Sequence, residues 1–202
     1  MERRGHLVAV QIVEKYLEDL RVVVEKTLFS QKALIAQMAQ RMASLLENGH
    51  KLLIMGNGGS ASDAEHFAAE LVGRFLKERS ALPVLALTGN TSIMTALGND
   101  YGFGAVFGRQ VEAFARKGDG VIAISTSGNS QNVVEGLEIA RKIGCETFAL
   151  LGRDGGRIAH MVDNPLVIPS YETPHIQELH IAVIHLLCHI VEETLWAEKT
   201  RS

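Results

Sequence analysis

The first fifty residues carry apolar side chains at the spacing of amphipathic helices. Apolar positions recur every three or four residues in VAVQIVEKYLEDLRVVVEKTLF and again in QKALIAQMAQRMASLLENG, where Gly49 provides a stop. Residues 1–50 are therefore predicted to form two long helices. The first helix is apolar on more than one face, so we expect it to pack against its own domain on one side and a partner on the other.

From Lys51 onward the pattern changes to short apolar runs, each followed by a turn and a helical segment. The five runs are KLLIMG, LPVLALTG, GVIAISTSG, ETFALLGRDG and PLVIPS. Buried strands that alternate with helices indicate an α/β fold with a doubly wound parallel sheet. The chain closes with the apolar segment IQELHIAVIHLLCHIVEETLWAE, which is predicted to be helical. We expect one domain over residues 1–202, with a helical segment at 1–50 and an α/β core at 51–202.

The composition is that of a soluble globular protein. The chain has 202 residues, of which 47% are hydrophobic and 21% are charged. Its formal net charge of −3 disfavours bulk binding to nucleic acid or to an anionic membrane. The two cysteines, Cys145 and Cys188, lie far apart without CxxC spacing, which favours a reduced, cytoplasmic setting. The sequence predicts neither a secretion signal nor a membrane span.

Two loops rich in glycine and serine follow predicted strands and precede predicted helices. GNGGSAS begins at residue 56, and STSGNSQN covers residues 125–132. Glycine lets the backbone approach an anion closely, hydroxyl groups add donors, and a helix N-terminus adds positive dipole potential. One such loop is typical of a capped helix, but two at one sheet edge indicate a phosphate-ester site. Neither has GxGxxG or GxxxxGK[ST] spacing, so a dinucleotide or ATP is not expected.

His66 and Glu70 lie one turn apart on the helix that follows the first loop. At about 100° per residue, they form with Arg74 a polar stripe opposite the apolar face of that helix. The stripe is compatible with a solvated surface that holds a Glu70–Arg74 ion pair, and also with a functional site. In the C-terminal helix, Gln177 and His185 form a second polar pair away from the core side.

Four motifs follow one another along the chain: GNGGSASDAEHFAAELVGR at 56–74, GND at 98–100, STSGNS at 125–130 and IQELHIAVIH at 176–185. In this order they resemble the sugar isomerase (SIS) domain family, and more narrowly its phosphoheptose isomerases. The likeness runs from the N-terminal helices into the C-terminal helix. It implies a flavodoxin-like five-stranded parallel sheet sandwiched by helices, assembled as a homotetramer with active sites between subunits.

The resemblance also implies a function. It predicts an aldose–ketose isomerase that converts sedoheptulose 7-phosphate to D-glycero-D-manno-heptose 7-phosphate, the first step of nucleotide-activated heptose biosynthesis for cell-surface polysaccharide. The positions it assigns to the sugar phosphate are Asn57, Gly58, Gly59, His66, Glu70, Asn99, Asp100, Ser125, Thr126, Ser127, Ser130 and Gln177. The positions it assigns to one zinc ion per subunit are His66, Glu70, Gln177 and His185.

The chemistry of such a reaction explains these residue types. Conversion of a ketose to an aldose moves a proton between adjacent carbons through an enediol, which requires a base, an acid and a group that stabilises the oxyanion. Glu70 is the candidate base, and His185 the group that assists ring opening or returns a proton. A zinc ion could polarise the carbonyl oxygen. A metal-bound carboxylate is a weaker base and glutamine an uncommon zinc ligand, so both roles of Glu70 stay open.

The chain departs from the family pattern just before IQE. Pro174 and His175 stand where family members often carry an acidic or small residue and then an arginine, so no contact is assigned there. The same fold includes a non-catalytic relative that binds the replication initiator, and isomerases or sensors of other sugar phosphates. The non-catalytic relative lacks the acidic residue and the second histidine. The presence of Glu70 and His185 here favours the isomerase.

Overall fold

A computed structural model describes residues 2–196, with side chains from residue 7 onward. Within this range the helices are α1 (Glu2–Val24), α2 (Lys32–Glu47), α3 (Gly59–Val72), α4 (Thr91–Asp100), α5 (Ala105–Phe114), α6 (Gln131–Ile143) and α7 (Thr173–Trp196). The strands are β1 (Leu52–Gly56), β2 (Val84–Ala86), β3 (Gly120–Ser125), β4 (Glu146–Gly152) and β5 (Asn164–Ile168). A π-helical turn (Glu25–Phe29) joins α1 to α2. The two predicted N-terminal helices and the five predicted strands are all present.

The five strands form one parallel sheet in the order β2-β1-β3-β4-β5. Leu52 of β1 pairs with Val84 of β2 on one side and with Gly120 of β3 on the other. This is the flavodoxin-like order, in which the direction of winding reverses between β1 and β3. The predicted fold is confirmed. The loops after β1 and β3 therefore lie beside each other at the carboxyl edge of the sheet, where such folds bind ligands.

Alternate strand residues face two separate hydrophobic cores. Ile54 and Ile122 point into the core that contains α2, α3 and α7, whereas Met55 and Ala123 point into the core that contains α5 and α6. Because both faces are covered, a strand here reads as a continuous apolar run and not as an alternating one. Helix α3 thus reaches the carboxyl edge of the sheet on the same face as α7, and the two helices pack against each other.

Helix α7 is a core helix. Its length and its mean hydropathy of 1.3 would allow it to cross a membrane. In the fold, however, it packs against α2 and α3, and Val183, Leu187 and Cys188 are fully buried. Its apolar composition is explained by this burial between two helices and the sheet. The side that carries Gln177 and His185 is only half-buried, which leaves these polar groups at the edge of the core.

Helix α1 is only partly covered by its own chain. Leu20, Val23 and Val24 near its C-terminal end pack against the core, and the Tyr16 hydroxyl donates a 2.6 Å hydrogen bond to Glu178 of α7. The half nearer the N-terminus exposes a row of apolar side chains. The residues, between 39% and 63% exposed, are Leu7, Val8, Val10, Ile12, Val13 and Leu17. The expected packing against the domain therefore holds for one end of α1 alone.

Candidate active site

The loop after β1 brings the backbone into close approach with α7. Gly58 has φ +57° and ψ −124°, a conformation that L side chains rarely adopt. At Gly59 a Cβ atom would overlap the Gln177 amide, so in this conformation the amide occupies the space next to the glycine. Gln177, predicted for the site, therefore lies against the first turn of α3.

The loop after β3 is held by its own hydroxyl groups. The Ser125 side chain, 3% exposed, accepts a 3.1 Å hydrogen bond from the Gly128 N–H and lies 3.2 Å from the Ser130 hydroxyl. Ser127 Oγ accepts from the Asn129 N–H at 3.2 Å. Ser130 is the N-cap of α6, but its side chain makes no capping hydrogen bond to that helix. The Val133 and Val134 N–H groups donate to the Ser130 carbonyl, whereas the first two amides of α6, as at any helix start, have no intrahelical acceptor.

A pair of amide groups joins the two loops. The Asn57 side chain donates to Asn132 Oδ1 and accepts from Asn132 Nδ2, both at 2.9 Å. Asn57 follows β1, and Asn132 lies in the first turn of α6. This reciprocal bridge fixes the spacing of the two predicted phosphate loops. Asn132 is the last residue of the predicted second loop, but its contact with Asn57 depends on the pairing of β1 with β3 and was not predicted.

His66, Glu70 and His185 converge where α3 packs against α7. His66 Nε2 lies 3.0 Å from Glu70 Oε1 and 3.4 Å from His185 Nε2, and one ligand atom from each residue lies within 4.8 Å of the others. Two zinc ligands at about 2.0–2.1 Å in tetrahedral geometry are separated by roughly 3.3 Å. The two imidazole nitrogens therefore stand at the separation that a shared zinc ion requires, and the set of donors fits this metal.

Gln177 lies nearer the start of α7 than His185, the other predicted ligand on that helix. It stands eight residues before His185, which corresponds to about 12 Å of helix rise. Its amide lies against Gly59 in the first turn of α3, whereas His66 lies two turns later in that helix. The structure thus brings together three of the four predicted zinc ligands and places the amide of the fourth beside the first phosphate loop.

Asn99 and Asp100 occupy the last turn of α4. Both are exposed, and the Asn99 amide donates a 2.8 Å hydrogen bond to Asp100 Oδ1. Among the hydrogen bonds of the described residues, none joins either side chain to the phosphate loops or to the histidine cluster. Their predicted contact with substrate stays a prediction.

The ion pairs do not support the alternative interpretation of the polar stripe on α3, a solvated surface that holds a Glu70–Arg74 ion pair. Helix α3 ends at Val72, so Arg74 leaves the stripe, and its Nε lies 3.5 Å from Glu78. Glu70 instead lies beside His66. The proposed Glu70–Arg74 pair is therefore wrong within the described structure, because the helix stops before its next turn is complete.

Two residues near the cluster of His66, Glu70 and His185 were not among the predicted site residues. Asp63, one turn before His66, has a buried Oδ2 atom without a hydrogen-bond partner. Burial raises the Asp63 pKa to about 6, while the nearby His66 acts in the opposite direction. Helical spacing from His66 could have identified Asp63. Phe75 has the helical spacing of the apolar face of α3, which indicated a core position, but it lies beyond the end of that helix. Its ring stacks on the His185 ring at a centroid distance of 5.5 Å.

Comparison with known proteins agrees with this architecture. The SIS domain model matches residues 15–152. The phosphoheptose isomerase of Trichlorobacter lovleyi is 54% identical over 184 residues, which cover 91% of this chain and 94% of that protein. The structure of phosphoheptose isomerase GmhA from Neisseria gonorrhoeae has a TM-score of 0.87 and 41% identity, covering 92% of this chain and 99% of that one. A phosphoheptose isomerase from Francisella tularensis has a TM-score of 0.89 and 37% identity, covering 92% and 98%. The chain therefore belongs to the SIS domain family, and within it to the phosphoheptose isomerases.

Proposed function

We propose that the protein converts sedoheptulose 7-phosphate to D-glycero-D-manno-heptose 7-phosphate in the cytoplasm, as a zinc-containing homotetramer. Family membership supports the isomerase activity and its phosphoheptose substrate. The observation that carries the assignment of residues is the convergence of His66, Glu70 and His185, two turns along α3 from the first of the two serine- and glycine-rich loops. The product would serve the synthesis of nucleotide-activated heptose for cell-surface polysaccharide.

The phosphate group is assigned to the two strand-end loops. The N-terminal amides of α6 and the hydroxyls of Ser127 and Ser130 offer donors and positive dipole potential for an anion. The Asn57–Asn132 bridge keeps the two loops in register. A phosphate held there anchors the end of the sugar that does not react, so that C1 and C2 extend towards α3 and α7.

The proton transfers are assigned to Glu70 and His185. The Glu70 carboxylate removes a proton from C1 of the open-chain ketose, while His185 gives a proton to the carbonyl oxygen at C2, and an enediol results. Glu70 then returns its proton to C2, and His185 takes the proton from the oxygen at C1, which becomes the aldehyde. Both side chains end in the state in which they began. The Asn57 and Gln177 amides lie near enough to the loops to orient the intermediate hydroxyls.

The zinc ion is assigned to His66, Glu70 and His185, with Gln177 as the fourth predicted ligand. When bound, zinc would polarise the substrate carbonyl oxygen and stabilise the negative charge that develops on it. Coordination would weaken Glu70 as a base. Coordination through Nε2 would likewise leave His185 without a proton on that nitrogen. We therefore assign metal binding and proton transfer to different moments of the cycle, with Glu70 and His185 free of the metal when they transfer protons. His66 donates no proton in this scheme and serves to hold the metal.

The homotetramer is supported by what the single chain leaves uncovered. Six apolar side chains between Leu7 and Leu17 are exposed on more than one face of α1, and so many on one helix are unusual on a monomer. The reacting groups are also open, since 44% of the His66 side chain and 26% of the Glu70 side chain is exposed. An enediol is protected by exclusion of water, which a neighbouring subunit would provide.

A panel of ketose phosphates tests the proposed function. The purified protein, supplied with zinc, is incubated with sedoheptulose 7-phosphate and with pentulose and hexulose phosphates, and aldose formation is followed by NMR. We expect turnover of the seven-carbon ester to exceed that of the others. No turnover of any ester by folded, zinc-loaded protein would contradict the proposal and favour a non-catalytic interaction protein. Preferred turnover of a shorter ester would reassign the substrate.

A further inference from the structure

The ring of His185 lies in a slot between two other rings. Phe75 stacks on one side at a centroid distance of 5.5 Å and an interplanar angle of 24°. His66 approaches the ring edge-on, at 5.2 Å and 63°. Phe75 lies in the segment 73–83, which joins α3 to β2 and is hereafter the α3–β2 loop. The orientation of a proposed catalytic group thus depends on a residue of an irregular segment.

One buried carboxylate organises the α3–β2 loop. Glu192 of α7 is fully buried and accepts hydrogen bonds from three consecutive backbone N–H groups, those of Phe75 at 2.8 Å, Leu76 at 2.8 Å and Lys77 at 3.0 Å. It also accepts from Arg79 Nε at 2.9 Å. Burial alone would raise the Glu192 pKa, but these donors together lower it, so the group is ionised at neutral pH.

Arg79 connects the same carboxylate to the end of α3. Its guanidinium, buried completely, donates to the carbonyl oxygens of Glu70 at 2.9 Å, Leu71 at 2.7 Å and Gly73 at 3.1 Å. Glu70 and Leu71 belong to the last turn of α3 and Gly73 is its C-cap, where helix carbonyls have no intrahelical partner. The turn that carries Glu70 is therefore bonded through Arg79 and Glu192 to α7.

Glu192 lies on the same helix as His185, so the buried Arg79–Glu192 pair is related to the candidate site. Glu192 follows His185 by seven residues, so the two side chains lie on one side of the helix, two turns apart. The Arg79–Glu192 pair thus joins the end of α3 to α7. On α7 this joint lies two turns from His185, which meets His66 and Glu70 of α3. The hydrogen bonds that Glu192 accepts from backbone N–H groups of the α3–β2 loop also hold Phe75 over the His185 ring.

We propose that Arg79, Glu192 and Phe75 are positioning residues for isomerisation, which hold the His185 ring in register with His66 and Glu70. This inference rests on the proposed function. A fully buried ion pair is a weak means of stabilising a fold, since its desolvation offsets much of its attraction. It is an effective means of fixing geometry, because each of its donors and acceptors has a specified direction. Small displacements of reacting groups lower rates strongly.

Two matched substitutions test the role of Phe75 in catalysis. Phe75→Leu removes the stacked ring, and Phe114→Leu removes a ring of the same kind, 38% exposed, at the far end of α5. We expect Phe75→Leu to lower kcat about tenfold with KM within twofold of the wild-type value, because a misaligned group slows the chemical step more than binding. Phe75→Tyr, which keeps the ring, should restore kcat. An unchanged kcat in Phe75→Leu, or an equal loss in Phe114→Leu, would overturn the proposal.

NMR of isotope-labelled histidine tests the positioning without recourse to activity. In the metal-free wild-type protein, the face of Phe75 should shift the His185 ring protons upfield. Glu192→Gln should remove most of this shift although Phe75 is still present, whereas Glu193→Gln, which alters the exposed neighbour that pairs with Lys77, should leave it. A shift retained in Glu192→Gln would overturn the proposal. If Glu192→Gln does not fold, Arg79→Lys replaces it in the same comparison, with the same two outcomes.

The two experiments separate this inference from the proposed function. Absence of turnover in the wild-type protein would contradict the function, while the histidine spectra would still show whether Glu192 positions the ring. Wild-type turnover together with unaltered kinetics in Phe75→Leu would contradict the positioning role alone.

Discussion

The two halves of the candidate site differ in how far one chain completes them. The strand-end loops are closed by their own hydrogen bonds, and Ser125 in their centre is only 3% exposed. The cluster of His66, Glu70 and His185 lies on the flanks of two helices, with 44% of the His66 side chain exposed. A phosphate can be recognised in water, but proton transfer to carbon benefits from a dry site. One chain thus forms the loops of the proposed phosphate site, whereas the proposed reacting groups are exposed, as expected if zinc and a second chain cover them under the proposed function.

The largest effect should come from the proton acceptor in the reacting half. Glu70→Gln preserves shape but removes the base, so kcat should fall about 10²–10⁴-fold while affinity for the sugar phosphate is retained. Steady-state kinetics and calorimetric binding measure the two quantities. Glu65→Gln, an exposed change on the same helix, is the control. Wild-type turnover in Glu70→Gln would remove Glu70 from the role of base.

Loss of a proposed zinc ligand should have the next largest effect, and this effect should be confined to the reacting half. Purified protein should contain close to one zinc ion per subunit, or gain activity when zinc is supplied. His66→Ala and His185→Ala should each weaken zinc binding at least about 100-fold, whereas His189→Ala, one turn further on α7 and exposed, should not. Elemental analysis after dialysis gives the result. Unchanged zinc content in both cluster variants would place the metal elsewhere.

Loss of assembly should lower kcat, which depends on the reacting half, and should leave binding of the phosphate group unchanged. Val13→Glu places a carboxylate among the exposed apolar side chains of α1. If a subunit contact buries this position, the unpaired charge costs several kcal/mol, roughly what is needed to weaken the contact. Light scattering should show smaller particles with reduced kcat. Gln11→Glu adds the same charge at a polar position and should assemble as the wild-type protein does. A fully active, monodisperse monomer of the wild-type chain would contradict this part of the account.

The smallest effect is expected in the binding half. Ser127→Ala should raise KM about tenfold at nearly constant kcat, because a hydrogen bond to a charged group is worth about 1.5–3 kcal/mol and the phosphate does not react. Ser44→Ala on α2 provides the control. If kcat falls instead while KM stays constant, the loop after β3 faces the reacting carbons and the two halves must be exchanged.

The sequence predicted those parts of the fold that depend on local pattern. Continuous apolar runs gave the strands, and the rule that neighbouring parallel strands end at one edge brought the loops at Asn57 and Ser125 together. The spacing of His66 and Glu70 followed from helix geometry alone. These features need no knowledge of how distant segments pack.

Features that depend on packing between helices were beyond the sequence. Only the contact of α3 with α7 places His185 at 3.4 Å from His66 and Gln177 against Gly59. The end of α3 at Val72 was also missed, since Arg79 from a later segment caps that turn. Phe75 and Glu192 meet His185 only through this capped loop. Neither residue belongs to a motif that spacing could identify.

The central claim is that Glu70 carries a proton between C1 and C2 through an enediol. Sedoheptulose 7-phosphate deuterated at C1 tests it most directly, with the product examined by NMR. The account predicts that the wild-type protein removes one deuterium from C1 and that C2 of the heptose acquires hydrogen from solvent in part of the product, while Glu70→Gln leaves C1 fully deuterated. Complete transfer of deuterium to C2 without any solvent hydrogen, or loss of deuterium in Glu70→Gln at the wild-type rate, would contradict it.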